Sequence, residues 1–192
     1  MASKLLSERR GPALLLTISD PATRNTLSPQ VYESGAAALR DAAGGGCSLV
    51  LACDLVIAAE GARFTMSYGR AGLSPDGGGT FHLAQALPRA LALQMLWLPE
   101  PMSARQWQTL GLVNAVVGDG EALNQALAWV ERLGRMASNA VASAKALASQ
   151  ARSCKLQEQL DAEREQFVPN LQHDNAGEGL RAFFEKRPPR FT

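Results

Sequence analysis

The sequence predicts an α/β fold in which strands come first and helices dominate afterwards. Three observations carry that prediction. Short apolar runs at Ala13–Ile18, Leu55–Ala59 and Val113–Val117 have the length and composition of strands. Amphipathic runs with recognisable start and stop residues fill most of the chain from Gly78 onward. Two glycine triplets, Gly44-Gly45-Gly46 and Gly77-Gly78-Gly79, each open an apolar helical run.

Taken in order, Ala13–Ile18 is expected as a buried strand, turned by Asp20-Pro21-Ala22. Ser28 and Pro29 suit the N-cap and first position of a helix running to about Asp41. A helix follows from the first triplet to about Asp54, which is read as structural. Leu55–Ala59 is then a buried strand, and Arg63–Ser67 an alternating one. Pro88 starts a helix through Leu98; Ser103 caps another to Leu110, which Gly111 ends. Glu121–Leu133, Ser138–Arg152 and Leu156 to about Val168 are expected as amphipathic helices, with Pro169 stopping the last. Gly177–Glu185 is a terminal helix. Trp97, Trp107 and Trp129 fall on helices with apolar neighbours and suit a core or a subunit interface.

Composition removes several functions. The net charge of +1 and the 6% aromatic content give no footprint for nucleic acid or an anionic membrane. Cys47, Cys53 and Cys154 are odd in number and form no C-x-x-C pair, which suggests free thiols in a reducing compartment and no metal site. His82 and His173 sit in no ligand pattern. Lys4, Arg9 and Arg10 before Pro12–Leu16 faintly imitate a signal peptide, but the apolar run is short and no small-residue cleavage site follows. No stretch approaches membrane-spanning length, so a cytoplasmic location is the default expectation.

Chemistry concentrates between Ala43 and Thr80. A helix start presents unpaired N–H groups and a partial positive charge, and glycine allows close approach to that backbone. Gly45 could offer such a donor to a developing oxyanion, or the triplet could be a tight helix start that only permits close packing; the residues alone leave both open. Asp76 stands at the second triplet, where it could carry a proton or simply cap the helix that follows. Spacing alone leaves those two roles of Asp76 open.

Several segments, in order, resemble the crotonase superfamily, the enoyl-CoA hydratase/isomerase family. They are Asn25-Thr26-Leu27 ahead of the Ser-Pro helix, and Gly44-Gly45-Gly46-Cys47 leading to Ala52-Cys53-Asp54. Ala62-Arg63-Phe64 and Gly72-Leu73-Ser74-Pro75-Asp76-Gly77-Gly78-Gly79 follow. Ser103-Ala104, Leu110-Gly111-Leu112-Val113-Asn114 and Phe184-Glu185-Lys186-Arg187 complete the set. The resemblance implies a crotonase-like spiral ββα core over residues 1–120 and a C-terminal helical trimerisation region over 121–192. It implies acyl-coenzyme A substrates, with coenzyme A part of the substrate and no separate cofactor, and a homotrimer or hexamer. Gly45 would supply one oxyanion N–H. Met66 and Tyr68 would line an acyl pocket, although core packing is the plainer role for Met66. Phe183 and Lys186 would lie near a neighbour's coenzyme A.

Hydratases of the family activate water with two glutamates. Ser48 and Tyr68 stand at those positions here, which counts against water addition by that route. Family members without those glutamates place a working carboxylate where Asp76 falls. The resemblance therefore tips Asp76 toward proton transfer, as in shifting a double bond along an enoyl-CoA, in a pocket expected to be apolar. Hydratase-type activity and a catalytically impaired acyl-CoA-binding or scaffolding subunit are the alternatives.

One departure stands out. Arg40-Asp41-Ala42-Ala43 runs straight into Gly44, where the family has a block of about two strand-plus-helix units of about 30 residues each. That block normally holds the second oxyanion donor, in a loop reading like Ala-Gly-Gly-Asp, so the fold is expected to be incomplete. Three explanations stand: the segment is disordered or omitted from this sequence, genuinely deleted, or replaced by a partner subunit. Omission is favoured because the other motifs are intact.

Overall fold

A computed structural model describes residues 4–11, 13–19 and 46–192. The expected Ser28–Asp41 helix, the Ala43–Gly44 junction and Gly45 lie outside the described residues. The chain divides into two units, Met1–Leu127 and Ala128–Thr192.

The first unit begins with a hairpin. Strand β1 (Lys4–Arg10) pairs antiparallel with β2 (Ala13–Ser19), Arg10 facing Ala13 across the connection. Gly11 turns the chain at φ 57°, a left-handed value open to glycine without steric penalty. β1 has no alternating pattern of its own, which is why the sequence reading passes over it. Glu8 and Arg10, two residues apart on one face of β1, pair at 2.8 Å.

Helix α1 (Gly46–Ala52) ends before a bend, and the strand expected from Leu55 shortens to β3 (Ile57–Ala59). β3 pairs in parallel with β6 (Ala115–Val117), and polar side chains lock both ends of that pairing. The Val56 N–H donates to Asn114 Oδ1 at 2.7 Å, and the Gly61 N–H to Asp119 Oδ1 at 2.8 Å.

The second expected strand is cut to β4 (Arg63–Phe64), because its antiparallel partner β5 (Met102–Ser103) offers only two residues. The backbone then winds into a 3₁₀ turn at Ser67–Ala71, closed by Gly72 at φ 69°. Helices α2 (Gly79–Ala86), α3 (Arg89–Trp97) and α4 (Ala104–Thr109) follow. Ser103 starts α4 with a reciprocal cap: its Oγ accepts the Gln106 N–H at 3.2 Å, while its own N–H donates to Gln106 Oε1 at 2.7 Å.

The core of this unit gathers Ala58, Met66, Leu83, Met95, Ala104, Trp107 and Val113. Trp107 is fully buried and stacks on Phe64 at 4.0 Å between ring centroids. Trp97 is instead 71% exposed, so it is not a core residue of the chain, and Trp129 is half-buried.

α5 (Ala122–Leu133) spans the division between the units. The second unit holds α6 (Ser138–Gln150), α7 (Leu156–Gln172) and α8 (Asp174–Glu185). Pro169 does not stop α7, contrary to the sequence expectation. Only three residues follow it, and Asn170 anchors them. Its Nδ2 donates to Gln166 O at 2.9 Å and to Ser143 Oγ at 2.8 Å on α6, while Asn139 Nδ2 donates to its Oδ1 at 2.6 Å. These tertiary bonds offset the hydrogen bond that proline removes. α8 begins three residues earlier than expected, because His173 Nδ1 accepts the Asn175 N–H at 3.1 Å. Buried Asn175 extends the polar chain to Asn139 at 2.9 Å and to the Thr192 carbonyl at 3.1 Å.

Glu178 accepts from Arg187 at 2.6 Å and 3.1 Å and from the Arg190 N–H at 2.8 Å. The Arg187 bonds first, then the backbone donor, hold its carboxyl down at about 2. A carboxyl lowered in the folded state contributes stability above the usual carboxylate range and loses it as pH falls toward 2. Arg187→Ala should therefore move the acid loss of helical circular dichroism to higher pH while leaving the neutral-pH spectrum unchanged. Coincident acid transitions in the two proteins would contradict this.

Candidate active site

The starts of two helices meet in the first unit. Ser48, in the first turn of α1, is fully buried and faces Gly79, the first residue of α2. A Cβ on Gly79 would lie 2.5 Å from Ser48 Oγ and 2.9 Å from Met66 Cε. Glycine is thus required at 79 for the two helices to approach so closely. Gly79→Ala should cost about 1–3 kcal/mol, the range of overpacking in a closed core, read as a lower denaturant midpoint. An unchanged midpoint would mean that the contact relaxes freely.

Cys47 ties the same turn to the strand side of the site, its thiol donating to the Thr65 carbonyl at 3.4 Å. Burial pushes the Cys47 thiol up, which keeps it protonated and suits it to this packing role. Tyr68 comes from the 3₁₀ turn, whose backbone is pinned by the Leu73 N–H donating to Tyr68 O at 3.1 Å.

Asp76 comes from the loop before α2 and completes the group. The Tyr68 hydroxyl donates to Asp76 Oδ1 at 2.8 Å. The Ser48 hydroxyl lies 3.0 Å from the Tyr68 hydroxyl and 3.0 Å from the Asp76 carbonyl oxygen, to which it can donate. That carbonyl also accepts the Gly79 N–H at 3.2 Å. Gly77 and Gly78 hold φ of 60° and 75°, left-handed values that turn the chain from Asp76 into α2.

This geometry removes one alternative and corrects two expectations. Asp76 does not cap the following helix: the N-cap is Gly78, with no side-chain bond, and the carboxylate turns to Tyr68 instead. Nor is Asp76 enclosed in an apolar pocket; it is exposed. Met66, expected to line an acyl pocket, is 2% exposed and belongs to the core, touching the site from behind Gly79. Asp54 is exposed at the end of α1. Phe183 and Lys186 belong to the second unit. Phe183 is 76% exposed, edge-to-face with Phe184, and Lys186 closes α8 in a left-handed conformation at φ 53°.

The burial of Ser48 against Gly79 is not among the sequence expectations, in which Ser48 figures only as a missing glutamate. A signal for both was present. Ser48 immediately follows a glycine-triplet helix start, and Gly79 ends the other triplet.

Comparison with known proteins places the chain. The family model described as enoyl-CoA hydratase/isomerase matches residues 36–192. The chain is 35% identical over 150 residues to the 2,3-dehydroadipyl-CoA hydratase of Escherichia coli, covering 78% of this chain and 59% of that protein. It is 34% identical over 151 residues to the 1,2-epoxyphenylacetyl-CoA isomerase of the same organism, covering 79% and 58%. An enoyl-CoA hydratase structure from Polaromonas sp. JS666 superposes with a TM-score of 0.90 at 36% identity, covering 98% of this chain and 99% of that one. The chain has the crotonase fold, and it belongs to the enoyl-CoA hydratase/isomerase family. It spans a little under three fifths of the length of the curated relatives it matches, 59% and 58% for these two.

Proposed function

We propose that this protein processes acyl-coenzyme A thioesters, moving a double bond along an enoyl-CoA through a thioester enolate. The observation that carries this reading is the state of Asp76. Its carboxylate is freed from helix capping and oriented by Tyr68. A 3-enoyl-CoA would lose a C2 proton to Asp76, and the C–H electron pair would pass into the enolate. The proton would return at C4 as the double bond settles between C2 and C3. Negative charge on the thioester oxygen would be held by the Gly45 N–H, directly before α1. Phe183 and Lys186 are proposed to serve coenzyme A binding in a homotrimer or hexamer. The exposed aromatic pair supports that role.

Water addition by two carboxylates is disfavoured, since Ser48 and Tyr68 occupy those positions and hydrogen-bond to each other. Hydratase-type chemistry is nevertheless kept as an arm of the test, because relatives carry hydratase names. A second reading, an acyl-CoA-binding subunit with impaired catalysis, is favoured by one observation. In the sequence Arg40–Ala43 leads directly to Gly44, without the family's Ala-Gly-Gly-Asp-like segment that would carry the second oxyanion donor. Losing one such donor costs about 2.7–4 kcal/mol of transition-state stabilisation. The deciding experiment supplies a 3-enoyl-CoA and a 2-enoyl-CoA separately, following migration in the first and hydration in the second, with Asp76→Asn alongside. Migration that depends on Asp76 upholds the isomerase reading; hydration alone, or binding without turnover, overturns it.

A further inference from the structure

Three contacts at the site share two hydroxyl hydrogens. Tyr68 reaches Asp76 Oδ1 at 2.8 Å, Ser48 reaches Tyr68 at 3.0 Å, and Ser48 reaches the Asp76 carbonyl at 3.0 Å. A carbonyl and a carboxylate oxygen only accept, whereas each hydroxyl carries one hydrogen and can also accept. Within these three contacts, two arrangements give both hydroxyl hydrogens an acceptor. In one, Tyr68 donates to the Asp76 carboxylate and Ser48 donates to Tyr68 or to the Asp76 carbonyl. In the other, Tyr68 donates to Ser48 Oγ and Ser48 donates to the Asp76 carbonyl. The hydrogens only rotate between the two, and no O–H bond of Ser48 or Tyr68 breaks.

We propose that Tyr68 and Ser48 are positioning residues for Asp76, a reversible hydroxyl pair that orients the carboxylate while it is ionised and, once it is neutral, can withdraw the Tyr68 hydrogen without stranding either hydroxyl. The proposal rests on the Asp76 reading above. While Asp76 is ionised, Tyr68 donates to Oδ1 and leaves Oδ2 to meet the substrate proton. Once Asp76 is neutral, Oδ1 is the weaker acceptor, and the Tyr68 hydrogen has Ser48 Oγ within reach. Ser48 then turns its hydrogen to the Asp76 carbonyl. Ser48 is fully buried, where a stranded hydroxyl is costly, and neither arrangement strands one. The pair is also rigid. Ser48 is pressed against Gly79, and Tyr68 sits on a turn closed by Gly72. Such rigidity suits a group that must be held within a fraction of an ångström to react efficiently.

The test is the rate of double-bond migration in a 3-enoyl-CoA, with kcat and KM resolved separately. Tyr68→Phe should lower kcat by about 10- to 100-fold with KM changed less than about twofold. Ser48→Ala should lower kcat less, again at constant KM. Should Tyr68→Phe fail to fold, 3,5-difluorotyrosine at position 68 keeps the shape and makes the hydroxyl more acidic. It should then change kcat and not KM, which a purely structural tyrosine would not do. Migration lost in Asp76→Asn but at wild-type kcat in Tyr68→Phe, or unaffected by difluorotyrosine, overturns the positioning role alone. Migration unaffected by Asp76→Asn overturns the Asp76 assignment, and no migration in the wild-type protein overturns both.

Discussion

Asp76→Asn is expected to lower the rate of double-bond migration by about 10²–10⁴-fold, the usual contribution of a positioned acid–base group. That range corresponds to about 2.7–5.4 kcal/mol of barrier. The substitution is conservative in shape. The asparagine Oδ1 can still accept from Tyr68 at the distance observed for the carboxylate, 2.8 Å. Its carbonyl can still take the Ser48 and Gly79 hydrogens, so the turn into α2 should survive. What is lost is the ability to accept and return a proton at Oδ2. The expected result is a fall in kcat with the melting temperature and acyl-CoA affinity preserved. Equal turnover in the two proteins would remove Asp76 from the chemistry. A fall in affinity with turnover retained would make it a binding group.

Trp107→Ala should destabilise the first unit by about 3–5 kcal/mol, the range for removing a large aromatic from a closed core. Trp107→Phe should cost much less, and the contrast is the informative part. The indole ring is fully buried and stacked on Phe64, but its Nε1–H has no hydrogen-bond partner among the described residues. Among the described residues the indole is thus an unsatisfied buried donor, which is unfavourable by about 1–3 kcal/mol. Phenylalanine keeps a ring for Phe64 and removes that donor, so two effects of opposite sign nearly cancel. Urea unfolding of both variants would check this. A phenylalanine variant as unstable as the alanine one would show that the indole N–H has a partner in solution.

Helix ends were legible wherever their determinants are local. Ser103 and Gln106 announce the start of α4 within four residues, and Gly111 adopts φ 76° just past its end. Interruptions set by distant partners were not legible. β4 stops at Phe64 because β5 is two residues long, and nothing near Thr65 encodes that. α7 runs through Pro169 because Asn139 and Ser143, on another helix, hold Asn170. The candidate site divides the same way. Asp76 was identifiable from its glycine-rich surroundings. Its partnership with Tyr68 depends on a 3₁₀ turn that an alternating pattern concealed, and the Ser48–Gly79 contact joins two helices 31 residues apart.

The parallel pairing of β3 with β6 has a consequence for how the protein is made. Val56 and Gly61 each bond a side chain 58 residues further along. At translation speeds of about 5–20 residues per second, the ribosome needs roughly 3–12 s to supply those partners after β3 is complete. For that interval Ile57–Ala59 is a short apolar strand without its mate, a state open to wrong pairing. The side-chain locks at Asn114 and Asp119 flank β6 on both sides. They arrive within a few residues of it, so the late strand is captured in register almost as soon as it appears. The residues of the candidate site from Ser48 to Gly79 are all synthesised before that capture.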